Sequence, residues 1–210
     1  RLLLRALPGV YDTTGQVTLL TSGSAEKRTT TEKFGTGSIF FDGAGDYVTA
    51  IANSASGISD SFGFNTGDFT MEGWLYTTTV ATGRKTIFAS RATATDTTTG
   101  RFSVYANTAN LEFFSASANV VFGGTISTNT WTHFAVTRSS GNVRLFLSGT
   151  QVGSTTSYTA SMPSSVNITI GDNSAGTESW NGYLDDLRIT KGYARYVANF
   201  TPPTVAFLSL

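Results

Sequence analysis

The chain has 210 residues, and its 14 basic and 14 acidic side chains leave a formal net charge of zero. It contains no cysteine, which removes a disulfide framework, a cysteine zinc site and thiol catalysis; the neutral balance argues against nucleic-acid partners. Hydrophobic residues make up 40%, enough for one sizeable domain, and no apolar run approaches the roughly 20 residues of a membrane span.

Leu2–Leu7 reads as a first strand ended by Pro8-Gly9, and Val17–Leu20 as a second after a turn at Gly15. Ser22–Lys33 is polar and loop-like. Ser38–Phe41 and Tyr47–Ile51 are short strands joined by the turn D-G-A-G-D, which Asp42 and Asp46 bracket. Ala52–Gly67 is an irregular connection. In Phe69–Tyr76, strict alternation places Phe69, Met71, Gly73 and Leu75 on one face and Glu72, Trp74 and Tyr76 on the other. Thr86–Ser90 and Phe102–Ala106 flank the Thr-rich loop Arg91–Gly100, and Leu111–Ser115 with Asn119–Phe122 forms a hairpin.

Trp131–Thr137 sets Phe134 and Val136 against Trp131 and His133, and Val143–Leu147 sets three aliphatic residues against Arg144 and Phe146. Gln151–Ser154, Val166–Ile170 and Trp180–Thr190 complete the strands. Gly192–Phe200 is expected to hold one helical turn, before T-P-P-T. About a dozen short strands with no long 3.6-period segment and no repeat predict one all-β domain over 1–210, a two-sheet antiparallel β-sandwich or jelly roll. A short extension follows from about residue 191. The opening at Arg1 rather than Met suits a processed, trimmed or partial chain.

In chain order, K-F-G-T-G-S-I-F-F-D-G-A-G-D-Y-V, F-T-M-E-G-W-L-Y, W-T-H-F-A-V-T-R, V-R-L-F-L-S-G, I-T-I-G-D and N-G-Y-L-D-D-L-R-I-T resemble the concanavalin A-like, laminin-G-like jelly rolls. That resemblance implies two packed antiparallel sheets and binding of glycans or proteins at the rim, often beside calcium. The ending D-D-L-R-I-T-K-G-Y-A-R-Y-V-A-N-F-T-P-P-T is similar to laminin-G-like domains of phage virion proteins. The expectation is therefore a non-enzymatic module on a virion surface. Its partners would be a glycan or host receptor, other virion proteins and possible further copies of itself. A purely structural assembly role is the alternative, and a glycoside hydrolase ranks last.

Three groups of residues are candidates for function. Asp42, Asp46 and Asp185 could supply oxygen ligands to Ca²⁺. The plainer reading, which weighs more, has the first two capping their turn and Asp185 accepting local donors. Alternation over Trp180–Thr190 places Asp185 inward with Leu187 and Ile189, and Asp186 outward in a surface pair with Arg188. Glu72, Trp74, Tyr76, His133, Arg144 and Phe146 would form an aromatic and polar floor for sugar rings, or a face covered by loops or a partner, which weighs more. Asp172, Asn173 and Glu178 lie in the long loop Gly171–Ser179, where recognition groups are often carried; Trp180 is expected to pack. No run of acids alternates along one strand, and Glu72 and Glu112 stand alone on theirs, so a glycosidase pair is not evident.

Overall fold

The computed structural model describes residues 2–6, 10–14, 17–35, 37–52, 62–79, 82–91, 93, 96, 98, 100–115, 118–162 and 167–208. The turns expected at Pro8-Gly9 and Gly15, the ends of the strands expected at Leu7 and Val166, and parts of the 52–67 and 91–100 connections lie outside these residues.

The strands are β1 (Leu2–Ala6), β2 (Val10–Asp12), β3 (Val17–Ser22), β4 (Glu26–Arg28), β5 (Ser38–Asp42), β6 (Tyr47–Ala52), β7 (Phe69–Thr77) and β8 (Arg84–Ala89). There follow β9 (Phe102–Asn107), β10 (Asn110–Ser115), β11 (Ala118–Gly123), β12 (Thr132–Ser139), β13 (Asn142–Leu147), β14 (Thr150–Ser157), β15 (Ile168–Ile170) and β16 (Asn181–Lys191). They form two antiparallel sheets. A nine-stranded sheet runs β14-β13-β12-β7-β16-β1-β2, with β5 also paired to β16 and β4 to β5; a seven-stranded sheet runs β11-β10-β9-β8-β15-β6-β3. The sequence pattern missed β2 and β4. Both are three residues long, and Glu-Lys-Arg in β4 suits an edge strand, where charge discourages further pairing.

Alternation builds one core between the sheets. Phe69, Met71 and Leu75 of β7, Phe134 and Val136 of β12, and Val143, Leu145 and Leu147 of β13 face Phe102, Val104, Leu111 and Phe113 of the other sheet. Trp180, just before β16, is buried in the same core, as expected of a packing residue.

β16 is the centre of the larger sheet, and its alternation is broken. Asp185 pairs with Trp74 and Arg188 with Glu72, so Asp186 and Leu187 together oppose the single residue Gly73. This is a β-bulge, with Asp186 at φ 47°. Gly73 makes room for it, since a Cβ there would lie 2.5 Å from Leu187 Cδ2 and 3.1 Å from its Cα. The bulge reverses the expected faces. Leu184, Leu187 and Ile189 reach the core, whereas Asp185 stands across from Trp74 and bonds to the loop outside the sheet. Asp186 does not pair with Arg188 at the surface; both are buried.

What buries them is the chain after β16. Residues 192–208 hold no helical turn; they cross the outer face of the nine-stranded sheet as a strap. The Gly192 amide donates to Asp68 O (2.7 Å), the Phe200 amide to Gly149 O (2.9 Å) and the Phe207 amide to Asp186 Oδ2 (2.6 Å). Midway, the Thr137 hydroxyl donates to Tyr196 O (2.8 Å).

Candidate functional site

The floor expected from Glu72, Trp74, His133 and Phe146 is real in geometry but closed to ligands. β7 and β12 are neighbours, with His133 opposite Trp74 in register. Glu72, His133 and Phe146 are fully buried and Trp74 is 6% exposed. Tyr196 and Phe200 of the strap stack face to face at 3.5 Å, and Phe200 meets His133 and Phe146 edge-on. The Lys33 ammonium lies 4.0 Å from the Trp74 ring centroid, and the Phe34 ring meets that indole edge-on. Arg144 is half-buried on β13, away from the rings described below.

Beneath the strap Glu72 is the hub. Its Oε1 accepts two bonds from Arg188, at 2.9 and 2.7 Å, and its Oε2 accepts the Tyr196 hydroxyl at 2.8 Å. His133 Nε2 stands 3.6 Å away. Burial opposes the charge of Glu72, yet the neighbouring His133, Arg188 and Tyr196 hold its carboxyl below the ordinary range. Phe207 covers the Arg188 guanidinium at 3.6 Å. Glu72, His133 and Phe146 thus form a structural network that the strap keeps from solvent.

The loop acids are also internal. Asp172 Oδ1 accepts the amides of Asn173 and Glu178, and its Oδ2 accepts the Ser179 hydroxyl. Asn173 Oδ1 accepts the amides of Ala175 and Thr177. Glu178 accepts the Thr86 hydroxyl. All three are buried; they shape the loop and do not face a ligand.

The three proposed calcium ligands do not converge. Asp42 stands opposite Asn181 and Asp185 opposite Trp74, four residues apart along β16, or about 13 Å. Asp46 takes the amides of Ser24 and Asp42, Asp42 Oδ1 takes that of Ala44, and Asp185 Oδ2 takes those of Lys33 and Phe34. Calcium wants about six to eight oxygens in one place. Among the described residues no group of three such ligands is assembled, so these residues do not fit the ion.

Burial, partly offset by those two amides, raises the Asp185 carboxyl to about 6. An acid with a raised pKa in the folded state contributes stability at low pH and loses it as pH rises through about 6. Glu72 has the opposite sign and acts below the usual carboxylate range. The wild-type melting temperature should therefore fall between pH 4.5 and 7, by the equivalent of about 2–3 kcal/mol. Asp185→Asn should flatten that decline, and an unchanged slope in the variant would count against this assignment.

The bulge exposes a different arrangement. With Tyr183 turned outward, four aromatic residues lie side by side across four strands. Trp131, immediately before β12, is 5.5 Å from Tyr76 of β7; Tyr76 is 5.8 Å from Tyr183 of β16; Tyr183 is 5.1 Å from Phe40 of β5, centroid to centroid. Tyr183 is in register with both Tyr76 and Phe40. All four are half-buried, so each offers part of its ring to solvent. The Arg28 guanidinium stacks 3.7 Å over Phe40 and closes the row. Adjacent rings are tilted by 54°, 77° and 50°; the row is a twisted ribbon about 15 Å long.

A polar row runs beside the rings toward the rim. Thr78, Asn181 and Asp42 lie two residues from Tyr76, Tyr183 and Phe40, in the same cross-strand order. Thr78 Oγ1 donates to Asn181 Oδ1 at 3.4 Å, and Asp42 is exposed. Gly182 permits the crossing, since a Cβ there would lie 2.1 Å from Tyr76 O. Of the expected site residues, only Tyr76 and Asp42 belong here. Trp131, Tyr183, Phe40, Arg28, Thr78 and Asn181 were missed, and the two acids interrupting the apolar alternation of β16 were the sequence signal for the bulge that turns Tyr183 out.

Two antiparallel sheets packed as a jelly roll agree with the family comparison: residues 41–195 match the laminin-G model described as the concanavalin A-like lectin/glucanases superfamily. The chain belongs to this superfamily. No curated protein sequence gives a significant match. Among solved structures, domain 4 of AbnA, a GH43 extracellular arabinanase from Geobacillus stearothermophilus, in complex with arabinotriose, superposes with a TM-score of 0.60 at 18% identity, over 87% of each chain. The botulinum neurotoxin serotype G binding domain gives 0.64 at 15% identity, over 93% of this superfamily member and 48% of the toxin domain. A structure of botulinum neurotoxin type C, whose cell entry is described as dependent upon interaction with two ganglioside molecules, gives 0.57 at 13% identity, over 92% of this chain and 48% of that one. The chain thus spans about half the length of the toxin binding domains. At such identities the likeness shows the shared fold. Among the described residues, no helix is long and apolar enough to cross a membrane.

Proposed function

We propose that this protein is a non-enzymatic glycan-binding module of a virion surface, and that the ribbon Trp131–Tyr76–Tyr183–Phe40 is its binding face. The observation that carries the reading is the ribbon with its parallel polar row: aromatic faces stack on the apolar faces of sugars, and Thr78, Asn181 and Asp42 are placed to bond hydroxyls. The spacing between strands, about 4.8 Å, is close to the length of one pyranose unit in an extended chain, so four rings suit a linear glycan. Their successive tilts suit a twisted, soluble chain better than a flat crystalline surface. The arabinotriose named for the AbnA domain and the gangliosides named for the type C toxin are consistent with a fold used on sugars. The virion setting rests on the likeness of residues 185–204 to phage laminin-G-like domains. Against catalysis, Glu72 and Glu112 are buried in different sheets and cannot flank one glycosidic bond.

The test is a glycan array followed by titration of the best linear oligosaccharide. Trp131→Ala and Tyr76→Ala should each weaken it about tenfold, equivalent to about 1.4 kcal/mol, with the fold retained in each variant. Array binding that survives both substitutions overturns the site, and any polysaccharide cleavage overturns the non-enzymatic reading. A specific observation also favours the structural alternative. Tyr193, Val197, Val205 and Leu208 of the strap are 56–71% exposed, an apolar outer surface suited to contacts with other virion chains. A map of the assembled particle with the ribbon covered and the array blank would select that role.

A further inference from the structure

The outer face of the seven-stranded sheet, remote from the ribbon, carries a concavity of about 360 Å³. Its floor is the register row Thr49–Thr169–Ala89 across β6, β15 and β8. Arg91 and Arg101, from the described ends of the connection between β8 and β9, flank this floor, and Tyr47, Asn167 and Ser174 also line the cleft. The volume falls in the range of small-ligand clefts.

The chemistry of the lining is one-sided. Both charged side chains are guanidinium groups, and among the described residues no carboxylate lines the cleft. The two arginines are not equivalent: Arg91 is fully buried with Glu178 and Asp96 as charged neighbours, whereas Arg101 reaches solvent. Arg101 Nη1 donates to Ser90 O at 2.8 Å; Arg91 Nε donates to Asp96 O at 2.8 Å, and its guanidinium lies 4.3 Å from the Phe114 ring centroid. Arg101 is half-exposed and uses one of its five donors in that bond, leaving a pre-oriented fork of the kind that binds a carboxylate or sulfate through paired bonds. Thr49 adds a hydroxyl and the half-buried Tyr47 an aromatic side chain; the Thr169 hydroxyl is turned to Ala89 O at 3.4 Å. A bare inorganic anion would leave most of this volume and the hydroxyl floor unused.

We infer that this cleft binds an acidic sugar, with Arg101 holding the carboxylate or sulfate, Arg91 buttressing that wall of the cleft from beneath, and Thr49 meeting the ring hydroxyls. The two sheets pack about 10 Å apart, and the cleft and ribbon are on their opposite outer faces. The module therefore has two separate sugar sites pointing away from each other, able to bridge two chains.

Calorimetric titrations with an oligogalacturonate, a sulfated oligosaccharide, a neutral oligosaccharide of equal length and free sulfate test this. Either acidic sugar, or both, should bind; whichever does identifies the anionic group. Arg101→Gln should weaken acidic binding about tenfold while leaving neutral binding unchanged, and Trp131→Ala should leave the acidic affinity intact. Thr49→Val, nearly isosteric, should cost a smaller factor at unchanged melting temperature. Acidic binding unaffected by Arg101→Gln, equal binding of the neutral chain in this cleft, or binding of free sulfate alone each overturns the inference. Loss of ribbon binding with cleft binding retained would overturn the preceding reading and leave this one standing.

Discussion

Replacing Glu72 by Gln is expected to destabilise the fold by about 3–5 kcal/mol, the cost of leaving a buried charge without its partner. Glu72 is fully buried, and its carboxylate is the counter-charge of Arg188, which Phe207 covers from the other side. Arg195 Nε is 3.5 Å away and adds a second cation. Gln keeps the shape and one acceptor oxygen but removes the negative charge, so the Arg188 guanidinium is left under the strap without its counter-charge. The Tyr196 hydroxyl loses a charged acceptor at the same moment. Urea denaturation measures the loss, and hydrogen exchange at Tyr196 and Phe207 should report strap opening before the sheets unfold. Adding Arg188→Met to Glu72→Gln should recover much of the stability, since removing both charges removes the desolvation problem. A loss below about 1 kcal/mol would mean the network contributes little.

The sandwich was legible because its central strands alternate cleanly. In β7, β12 and β13 each apolar residue assigned inward is in the core, and each residue assigned outward lies on the outer face. Outer did not mean exposed, however. Whether Glu72 and His133 see water depends on a strap that begins after residue 191 in sequence, and no local pattern reveals where a proline-containing tail will lie. A covered polar face is still recognisable in retrospect: a carboxylate, an imidazole and large aromatics sharing one face require partners if buried, and Arg188, Tyr196, Phe200 and Phe207 provide them.

The site was less legible, and one residue explains most of that. A period of two propagates any slip to every later position. Assigning β16 from Leu187 and Ile189 backwards put Tyr183 in the core and Asp185 beside it; the extra residue at Asp186 reverses both. Tyr183 is the link between Tyr76 and Phe40, so the ribbon vanished with it. A carboxylate pair inside an apolar strand, with a glycine at position 73 of another, is consistent with a bulge rather than an inward acid. The same slip aimed Asp185 into the core, where the strand instead places Leu184 and Leu187.

The second large effect concerns Arg138, fully buried at the end of β12. Arg138→Ala should cost about 3–5 kcal/mol, because it strands several carbonyl oxygens without donors. Nε donates to Gly67 O at 2.8 Å, Nη1 to Ala160 O at 3.1 Å, and Nη2 to Asn65 O at 2.6 Å and Gly67 O at 2.5 Å. Those carbonyls belong to two separate connections, which meet in the isolated bridge between Asn65 and Met162. Asn65 has φ 46°, a conformation outside the usual regions that surrounding bonds must hold. The guanidinium fork is therefore the clip between two crossovers, and its central carbon lies 5.1 Å from the Phe69 ring centroid. Lysine carries the charge but offers three donors from one point, so it cannot span carbonyls on both segments. The expected order of stability is wild type, then Arg138→Lys, then Arg138→Met and Arg138→Ala together at the bottom. Equal stability of the Lys variant and wild type would show that charge, rather than the spread of donors, holds the two connections. Chemical denaturation ranks the four proteins. Because the ribbon lies at the other end of β7 and β12, glycan affinity of whatever fraction folds should match wild type.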